Sequence, residues 1–530
     1  MKEQAKRAAR GWKQVRGFVS PSNLSTLRKA GVLGPRSLLA AVGGLPWVLG
    51  RGPSLGVVSS MNAMALPHKV ALIDDLGSIT FAELERRANQ AARLFTDLGV
   101  KPGDPVVTLL RNGRHQVEIL LAAQKLGLAA TPLNTWSSPA ESHALLGAVD
   151  PKLIVYDVRH RELISTGAPS QLFVGDPSKS LPRSLHYESE VKRCSSGPLS
   201  PVAMSTASPE VIIHTSGTTG TPKGARRDPA AAGVDSLTRI LQVIPLCRDD
   251  VIFCPAPLFH SFGLATLAIA SLLGATLVLP DRFDPAGSLR MIESHHVTAV
   301  SAVPVMLNRI LALDPSEIRV HALDTVRIIL VSGSALTQST RRQTQNVFGD
   351  VLYDLYGSTE VGWVAIATPD DMVSRPGSVG RPVPGIELAM FDDQGAEVEP
   401  GIPGEIFVKS EVVFEGYTSG ETRPHKAGYM SIGDVGHLDS EGFLYVEGRA
   451  DEMMVIGGEN VYPIEIENVI GSIDGVSDVA AFGVPDDEFG TRAVVFVVGT
   501  AQDHEIMSAC RSSLASFKVP KAIHRIEELP

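Results

Sequence analysis

The densest chemistry in the sequence lies in Val211-Ile-Ile-His-Thr-Ser-Gly-Thr-Thr-Gly-Thr-Pro-Lys-Gly224. A β-branched run feeds an unbroken stretch of Ser, Thr and Gly, Thr215–Thr221, closed by Pro222, Lys223 and Gly224. Glycines let a backbone turn tightly and aim N–H groups at anionic oxygens, hydroxyls add donors, and one lysine adds charge. That is a cradle for phosphate. It is not a Walker A loop, because Lys223 follows a proline, and it contains no GxGxxG. Other residues with chemical potential stand apart from it: His260 among Phe259, Phe262 and Gly263, the pair Thr359-Glu360 behind Tyr356-Gly357, and Asp434 after a glycine. There is no GxSxG nucleophile elbow and no CxxC pair.

These residues need strands and helices to hold them. From Lys69 onward, short β-branched runs alternate with amphipathic stretches. Pro105–Leu110 reads as a strand, His115–Leu126 as a helix and Leu128–Leu133 as the next strand. The pattern returns as Asp250–Cys254, Phe262–Leu273 and Ala275–Leu279, then as Thr298–Ala302, Val305–Leu313 and Val326–Val331. Strands alternating with helices imply an α/β chain with parallel sheets, in which ligands sit outside the carboxyl ends of strands. Gly167–Ser208, rich in Ser and Pro, reads as irregular surface structure. No repeat or low-complexity segment interrupts the chain.

At 530 residues the chain exceeds one hydrophobic core, and its 44% apolar and 20% charged content is ordinary for a globular protein. A net charge of −10 and only 5% aromatic residues argue against nucleic-acid binding. Four scattered cysteines indicate neither a zinc site nor a disulfide framework, which points to a reducing, cytoplasmic setting. The charge is uneven: Met1–Arg51 holds ten basic residues against one acid. Its start reads as a helix with Ala5, Ala8, Ala9, Trp12, Val15 and Val19 on one stripe. Three readings stand for this segment: peripheral contact with an anionic membrane, an organellar transit peptide, or a solvated or docked basic tail. The apolar run Ser37–Gly50 is too short to span a bilayer.

With these motifs in hand, the phosphate loop resembles that of the adenylate-forming superfamily, which includes acyl-CoA synthetases, peptide-synthetase adenylation domains and beetle luciferases. The other motifs follow in the family's order: Pro257-Leu-Phe-His-Ser-Phe-Gly263, Val331-Ser-Gly-Ser-Ala-Leu336, Tyr353-Asp-Leu-Tyr-Gly-Ser-Thr-Glu360, Gly428-Tyr-Met-Ser-Ile-Gly-Asp434, Gly448-Arg-Ala-Asp451, Ile456-Gly-Gly-Glu-Asn-Val-Tyr-Pro-Ile-Glu-Ile-Glu467 and Gly483-Val-Pro-Asp486. Ile432 replaces the usual threonine. The resemblance covers roughly residues 60–530. It implies a basic extension 1–51, an AMP-binding domain 52–447 of two βα sheet subdomains and a β-barrel, a hinge at 448–451, and a small α+β domain 452–530.

The implied chemistry has two steps: a carboxylate attacks the α-phosphorus of ATP to give acyl-adenylate, then a thiol displaces AMP. No side-chain nucleophile is needed, so positioning and charge stabilisation carry the catalysis. By resemblance, Thr215, Ser216, Gly217, Thr218, Thr219, Gly220 and Lys223 cradle the phosphates. Glu360 is the Mg²⁺ ligand, with Thr359 on the α-phosphate. Tyr356 and Gly357 pack at adenine, Asp354 accepts from its amino group, and Gly333 and Ser334 bring backbone beside the ring. Asp434 accepts the ribose hydroxyls and Arg449 also reaches the ribose. Asp451 is the hinge residue, and Gly457 and Gly458 admit the pantetheine arm of CoA. His260, Phe262, Gly263 and Trp363 line the acyl pocket, where His260 shapes the pocket rather than acting as a base.

The family also carries a lysine, central to adenylation, just past an ELP-type sequence. This sequence reaches Glu527-Glu-Leu-Pro530, and neither Lys518 nor Lys521 occupies that motif. The expectation is poor adenylation by the sequence as written, with thioester formation from supplied adenylate retained. The leading reading is a ligase joining CoA to a carboxylic acid, a medium- or long-chain fatty acid first. Rivals are an acyl-AMP ligase or adenylation domain loading a carrier protein, a luciferase-type monooxygenase, and a non-catalytic membrane-associated binding protein.

Overall fold

The structure, a computed structural model, describes residues 20–37, 39–40, 54–164, 170–199, 210–215, 223–227, 238–410, 414–418, 420, 422–456, 459–486 and 490–529. The amphipathic start of the chain, most of Ser37–Gly50, Ser216–Pro222 and Gly457–Gly458 therefore lie outside the described residues. The chain divides into two compact units. One comprises residues 1–283, 297–301 and 411–422, and the other 284–296, 302–410 and 423–530.

The first unit contains a six-stranded parallel sheet. Its spatial order is Leu185–His186, Gln171–Val174, Leu153–Asp157, Pro105–Leu109, Ala129–Pro132 and Glu210–Val211. Every residue of Leu153–Asp157 is buried, as expected of a strand covered on both faces. Helix Arg114–Leu126 makes the first crossover and stops at Gly127, whose left-handed backbone (φ 70°) suits glycine. Helix Pro139–Val149 makes the next one. It is opened by Ser138, whose hydroxyl accepts from Glu141 N–H while the Glu141 carboxylate accepts from Ser138 N–H. A second group of strands runs Ala299–Ala302, Val251–Phe253, Thr276–Val278, Val70–Asp74 and Gly77–Thr80. A third, antiparallel set pairs Ile213–Thr215 with Lys223–Arg227 and the latter with Phe414–Tyr417.

The reading of Gly167–Ser208 as irregular is overturned. This stretch supplies two strands of the parallel sheet and the helix Tyr187–Arg193. Strands of four and two residues leave too short a periodic signal to read against a Ser/Pro background. What anchors the segment is Tyr187, fully buried, whose phenol donates to Glu118 Oε2 at 3.0 Å. Glu118 is in turn held by Arg87, with Nη2 to Oε2 at 2.9 Å.

The second unit begins its sheet with Ile328–Val331 parallel to Leu352–Ser358, then turns antiparallel through Gly362–Ala367 to Arg381–Pro382. An antiparallel sheet follows: Glu387–Phe391, Gly404–Lys409 and Tyr429–Leu438, the last also pairing with His425–Lys426 and Leu444–Arg449. Near the end of the sequence, Val476–Asp486, Gly490–Gly499 and Ala522–Arg525 form a sheet with helices Pro463–Gly471 and Asp503–Ser513. Ile466, Ile470, Val479, Val495, Ile506 and Cys510 share its core. Among the described residues, no helix is long and apolar enough to cross a membrane.

Candidate functional site

In the first unit the strand register places Thr215 opposite Lys223, so the phosphate loop closes a hairpin with both ends fixed in the sheet. Its interior, Ser216, Gly217, Thr218, Thr219 and Gly220, lies outside the described residues. Behind the hairpin Gly224 is enclosed: a Cβ there would sit 2.9 Å from Ile212 Cγ2 and from Thr418 Cγ2. Its N–H donates to Thr418 Oγ1 at 3.2 Å. The neighbouring His214 is neutral at physiological pH, because burial pushes its pKa down to about 4.

The Pro257–Gly263 motif spans the turn between strand Val251–Phe253 and helix Ser261–Leu273 and the first turn of that helix. A Cβ on Gly263 would lie 2.3 Å from Pro257 O, so only glycine lets this helix start so close to the incoming chain. Phe262 is buried, whereas His260 is exposed at the N-cap, its ring 4.7 Å from that of Phe259. Two residues missed in the sequence hold and extend this turn. Asn112 accepts from Leu258 N–H at 2.9 Å and donates to Ala256 O at 3.0 Å. Trp136, 69% exposed, stands edge-on to Phe259 at 5.4 Å. A lone asparagine has no sequence signal, but an exposed tryptophan just after a strand does.

The second unit holds the remaining described residues, some on turns after strands and others, Asp354, Tyr356 and Asp434, within strands. After Ile328–Val331 the chain turns through Gly333 (φ 98°) and Ser334, both exposed, and the Ser332 hydroxyl donates to Leu355 O at 2.7 Å. Strand Leu352–Ser358 then bulges at Gly357, where a Cβ would meet Gly362 O at 1.9 Å. The bulge tightens the turn carrying Thr359, half-buried, and Glu360, buried. Glu360 N–H donates to Ser358 Oγ at 3.2 Å, and the Glu360 carboxylate pairs with Arg423 Nη2 at 3.1 Å. Arg423 sits outside every motif in the sequence, and its guanidinium also lies beside Gly433. Trp363, half-buried, faces Gly357 across the hairpin.

Antiparallel pairing sets Asp434 directly opposite Arg449. Arg449 Nε is 3.5 Å from Asp434 Oδ1 and 3.2 Å from Asp451 Oδ1. The Tyr356 phenol donates to Asp434 Oδ2, while the buried Oδ1 accepts no hydrogen bond. Burial raises the pKa of Asp434, and the Tyr356 hydrogen bond and Arg449 charge oppose that rise. Asp354 has only the distant charge of Arg341 against burial, and its pKa is pushed up to about 7. Ile432, in place of threonine, is 1% exposed and belongs to the core. Gly448 packs under Tyr462, whose ring a Cβ would approach to 3.0 Å, and Asp451 is exposed.

The donors suit magnesium held chiefly by a nucleotide. Among the described residues no three His, Cys, Asp or Glu side chains cluster to hold a metal, yet Glu360 offers a buried hard oxygen already neutralised by a cation. The orphaned Asp434 Oδ1 suits a sugar hydroxyl in the same way: it is a buried acceptor that lacks a donor.

Residues 60–418 match the AMP-binding enzyme family, and residues 465–530 match the AMP-binding enzyme C-terminal domain. The chain belongs to this family of adenylate-forming enzymes. It is 30% identical over 476 residues to a 2-succinylbenzoate–CoA ligase of Bacillus licheniformis, covering 88% of this chain and 95% of that one. It is 28% identical to the long-chain-fatty-acid–CoA ligase FadD13 of Mycobacterium tuberculosis (90% and 95% covered). It is 30% identical to the indoleacetate–CoA ligase of Aromatoleum aromaticum (88% and 92%). Among solved structures, the o-succinylbenzoate CoA synthetase of Bacillus subtilis with its acyl-adenylate intermediate superposes with a TM-score of 0.75 at 27% identity, covering 89% and 95%. The anthranilate CoA ligase AuaEII shares the fold with a TM-score of 0.82 at 24% identity, covering 90% and 94%. The activity is therefore that of an AMP-forming acyl- or aryl-CoA ligase, a class that uses ATP, Mg²⁺ and CoA.

Proposed function

We propose that this ligase activates a carboxylic acid with an apolar body, a medium- or long-chain fatty acid first, and passes the acyl group to CoA. The observation that carries the nucleotide half is the Tyr356–Asp434–Arg449 group with its unanswered Asp434 Oδ1. Tyr356 fixes the carboxylate from one side, so Oδ1 is aimed before the ribose arrives and little ordering is left to be done on binding. Arg449 faces the same oxygen, and its charge opposes the rise that burial imposes on the carboxyl pKa. The acid oxygen attacks the α-phosphorus, the bond to the bridging β-oxygen breaks, and pyrophosphate leaves. The CoA sulfur then attacks the acyl carbonyl and AMP departs with the bonding electrons. Mg²⁺, when bound at Glu360, neutralises the triphosphate charge. The half-buried Arg423 holds the Glu360 carboxylate in place.

On the acid side, Phe262 is buried, Gly263 admits close approach, and His260, uncapped and exposed, borders the entrance. The FadD13 relative favours a fatty acid. A second reading, an aromatic acid, is favoured by the indoleacetate–CoA ligase. AMP release and acyl-CoA formation across a panel of fatty and aryl acids tests both readings. A kcat/KM highest for fatty acids is the expected outcome, and a preference for aryl acids overturns the first reading. Formation of a thioester on carrier protein but not on CoA would replace the acceptor. Asp451 serves as the hinge between half-reactions. Asp451→Pro should slow thioester formation about tenfold and leave pyrophosphate exchange within about twofold.

A further inference from the structure

We propose that the crevice outside the carboxyl ends of strands Pro105–Leu109, Leu153–Asp157 and Gln171–Val174 binds a small zwitterion, an α-amino acid with an apolar side chain. In the parallel sheet of the first unit, the strand after Pro105–Leu109 pairs on one side of it and the next, Leu153–Asp157, pairs on the other. Such a reversal opens a crevice at the strand ends, the habitual ligand position of doubly wound sheets. A cavity of about 420 Å³ lies there, within the range that accepts small molecules.

Leu110, Val158 and Val174 supply apolar wall. The charged lining is mostly self-satisfied. Arg159 is spent on Asp157 (Nη2 to Oδ2, 2.6 Å) and Asp281 (Nη1 to Oδ2, 2.8 Å). Asp74 is taken by Arg114 at 2.6 Å. Three groups are left with capacity. Arg111 uses Nη1 on Asp281 (3.1 Å) and Nε on His160 (3.3 Å), leaving Nη2 without an acceptor among the described residues. Among the described residues Lys179, exposed at the rim, makes no ion pair, and Asp75, on the turn between Val70–Asp74 and Gly77–Thr80, forms no salt bridge: it accepts from the Asp281 backbone N–H and feels Arg159 only through space. Partial burial and the nearby charge of Asp281 raise the pKa of Asp75.

Five aspartates line the cavity against Arg111, Arg159 and Lys179, so a plain anion meets an acidic surplus. A plain cation would leave the Arg111 donor unanswered. A zwitterion answers both: its carboxylate takes Arg111 Nη2 and Lys179, its ammonium takes Asp75, and its side chain lies on the apolar wall. Its occupant would rest against Asn112, whose amide pins the acyl turn at Ala256 and Leu258.

Calorimetry of the full chain with L-leucine as the probe tests this, alongside 3-methylbutylammonium and 4-methylpentanoate, which each keep one charge. Leucine should bind at least about tenfold more tightly than either comparator, and Asp75→Asn and Arg111→Gln should each weaken it about tenfold. Leu76→Trp, at an exposed rim position, should block binding without touching the core, and thermal melts of each variant report folding. Absence of leucine binding at tens of millimolar overturns the proposal. So does binding that survives all three variants, or a comparator that binds as tightly as leucine.

Discussion

Asp354 and Asp434 lie on two strands of the second unit, both withdrawn from water but in different company. Burial raises both carboxyl pKa values. Asp434 receives the Tyr356 phenol on one oxygen and faces Arg449 with the other. Asp354 has only the charge of Arg341, and its pKa rises to about 7. The difference teaches that neighbours act together with depth: the deeper carboxyl with one opposing charge titrates near neutrality, while the other has a phenol and an arginine working against its burial. Asp434 has two neighbours that favour its charged form, as the acceptor of a hydroxyl pair proposed above requires. On the reading by resemblance, Asp354 would accept from an adenine amino group only when it has lost its proton.

Removing the better-furnished carboxylate breaks the comparison most severely. Asp434→Ala should lower kcat/KM for ATP about a hundredfold in pyrophosphate exchange, the scale of losing charge-assisted hydrogen bonds to two hydroxyls. An effect under threefold would show that the carboxylate does not meet the ribose. Stripping only the company sharpens the point: Tyr356→Phe should raise the Asp434 pKa, moving the acidic limb of the kcat/KM profile for ATP upward by about one pH unit. A parallel test sits at Glu360, where Arg423→Ala should slow adenylation about tenfold, with Arg423→Lys restoring part of it. The smallest effect belongs to Asp354. Its KM for ATP should fall about twofold to threefold between pH 6 and pH 8, and Asp354→Asn should flatten that dependence. Stability carries the opposite sign. The folded pKa stands above the unfolded value, so the folded state binds the extra proton, and this contribution is lost as pH rises from about 4 to 7. Denaturant melts should therefore show Asp354→Asn gaining on the wild type from pH 5 to pH 8.

Much of this was legible in the sequence where pattern and chemistry coincide. The nine strands and helices read between Pro105 and Val331 lie within two residues of observed elements, because their strands are buried and their helices periodic, whereas intervening elements such as Pro139–Val149 and Leu153–Asp157 were not read. The motifs at Gly333, Glu360 and Asp434 were readable by resemblance, the first two on turns and Asp434 within a strand. Gly167–Ser208 was not readable, since its strands are too short and its burial depends on Tyr187 meeting Glu118 from another part of the chain. Arg423, Asn112 and Trp136 escaped for a related reason. Each gains significance from a partner distant in sequence: Glu360, Leu258 and Phe259. Sequence periodicity carries no trace of such pairings.

The bulge at Gly357 has a consequence for how this protein can change. Even one methyl group there would collide with the carbonyl of Gly362, prise the two strands apart and swing Glu360 away from its arginine. Mutational drift is therefore closed at that position for reasons of space alone. Deep mutational scanning should return a single tolerated letter there, while nearby Trp363, only half enclosed, should accept other residues.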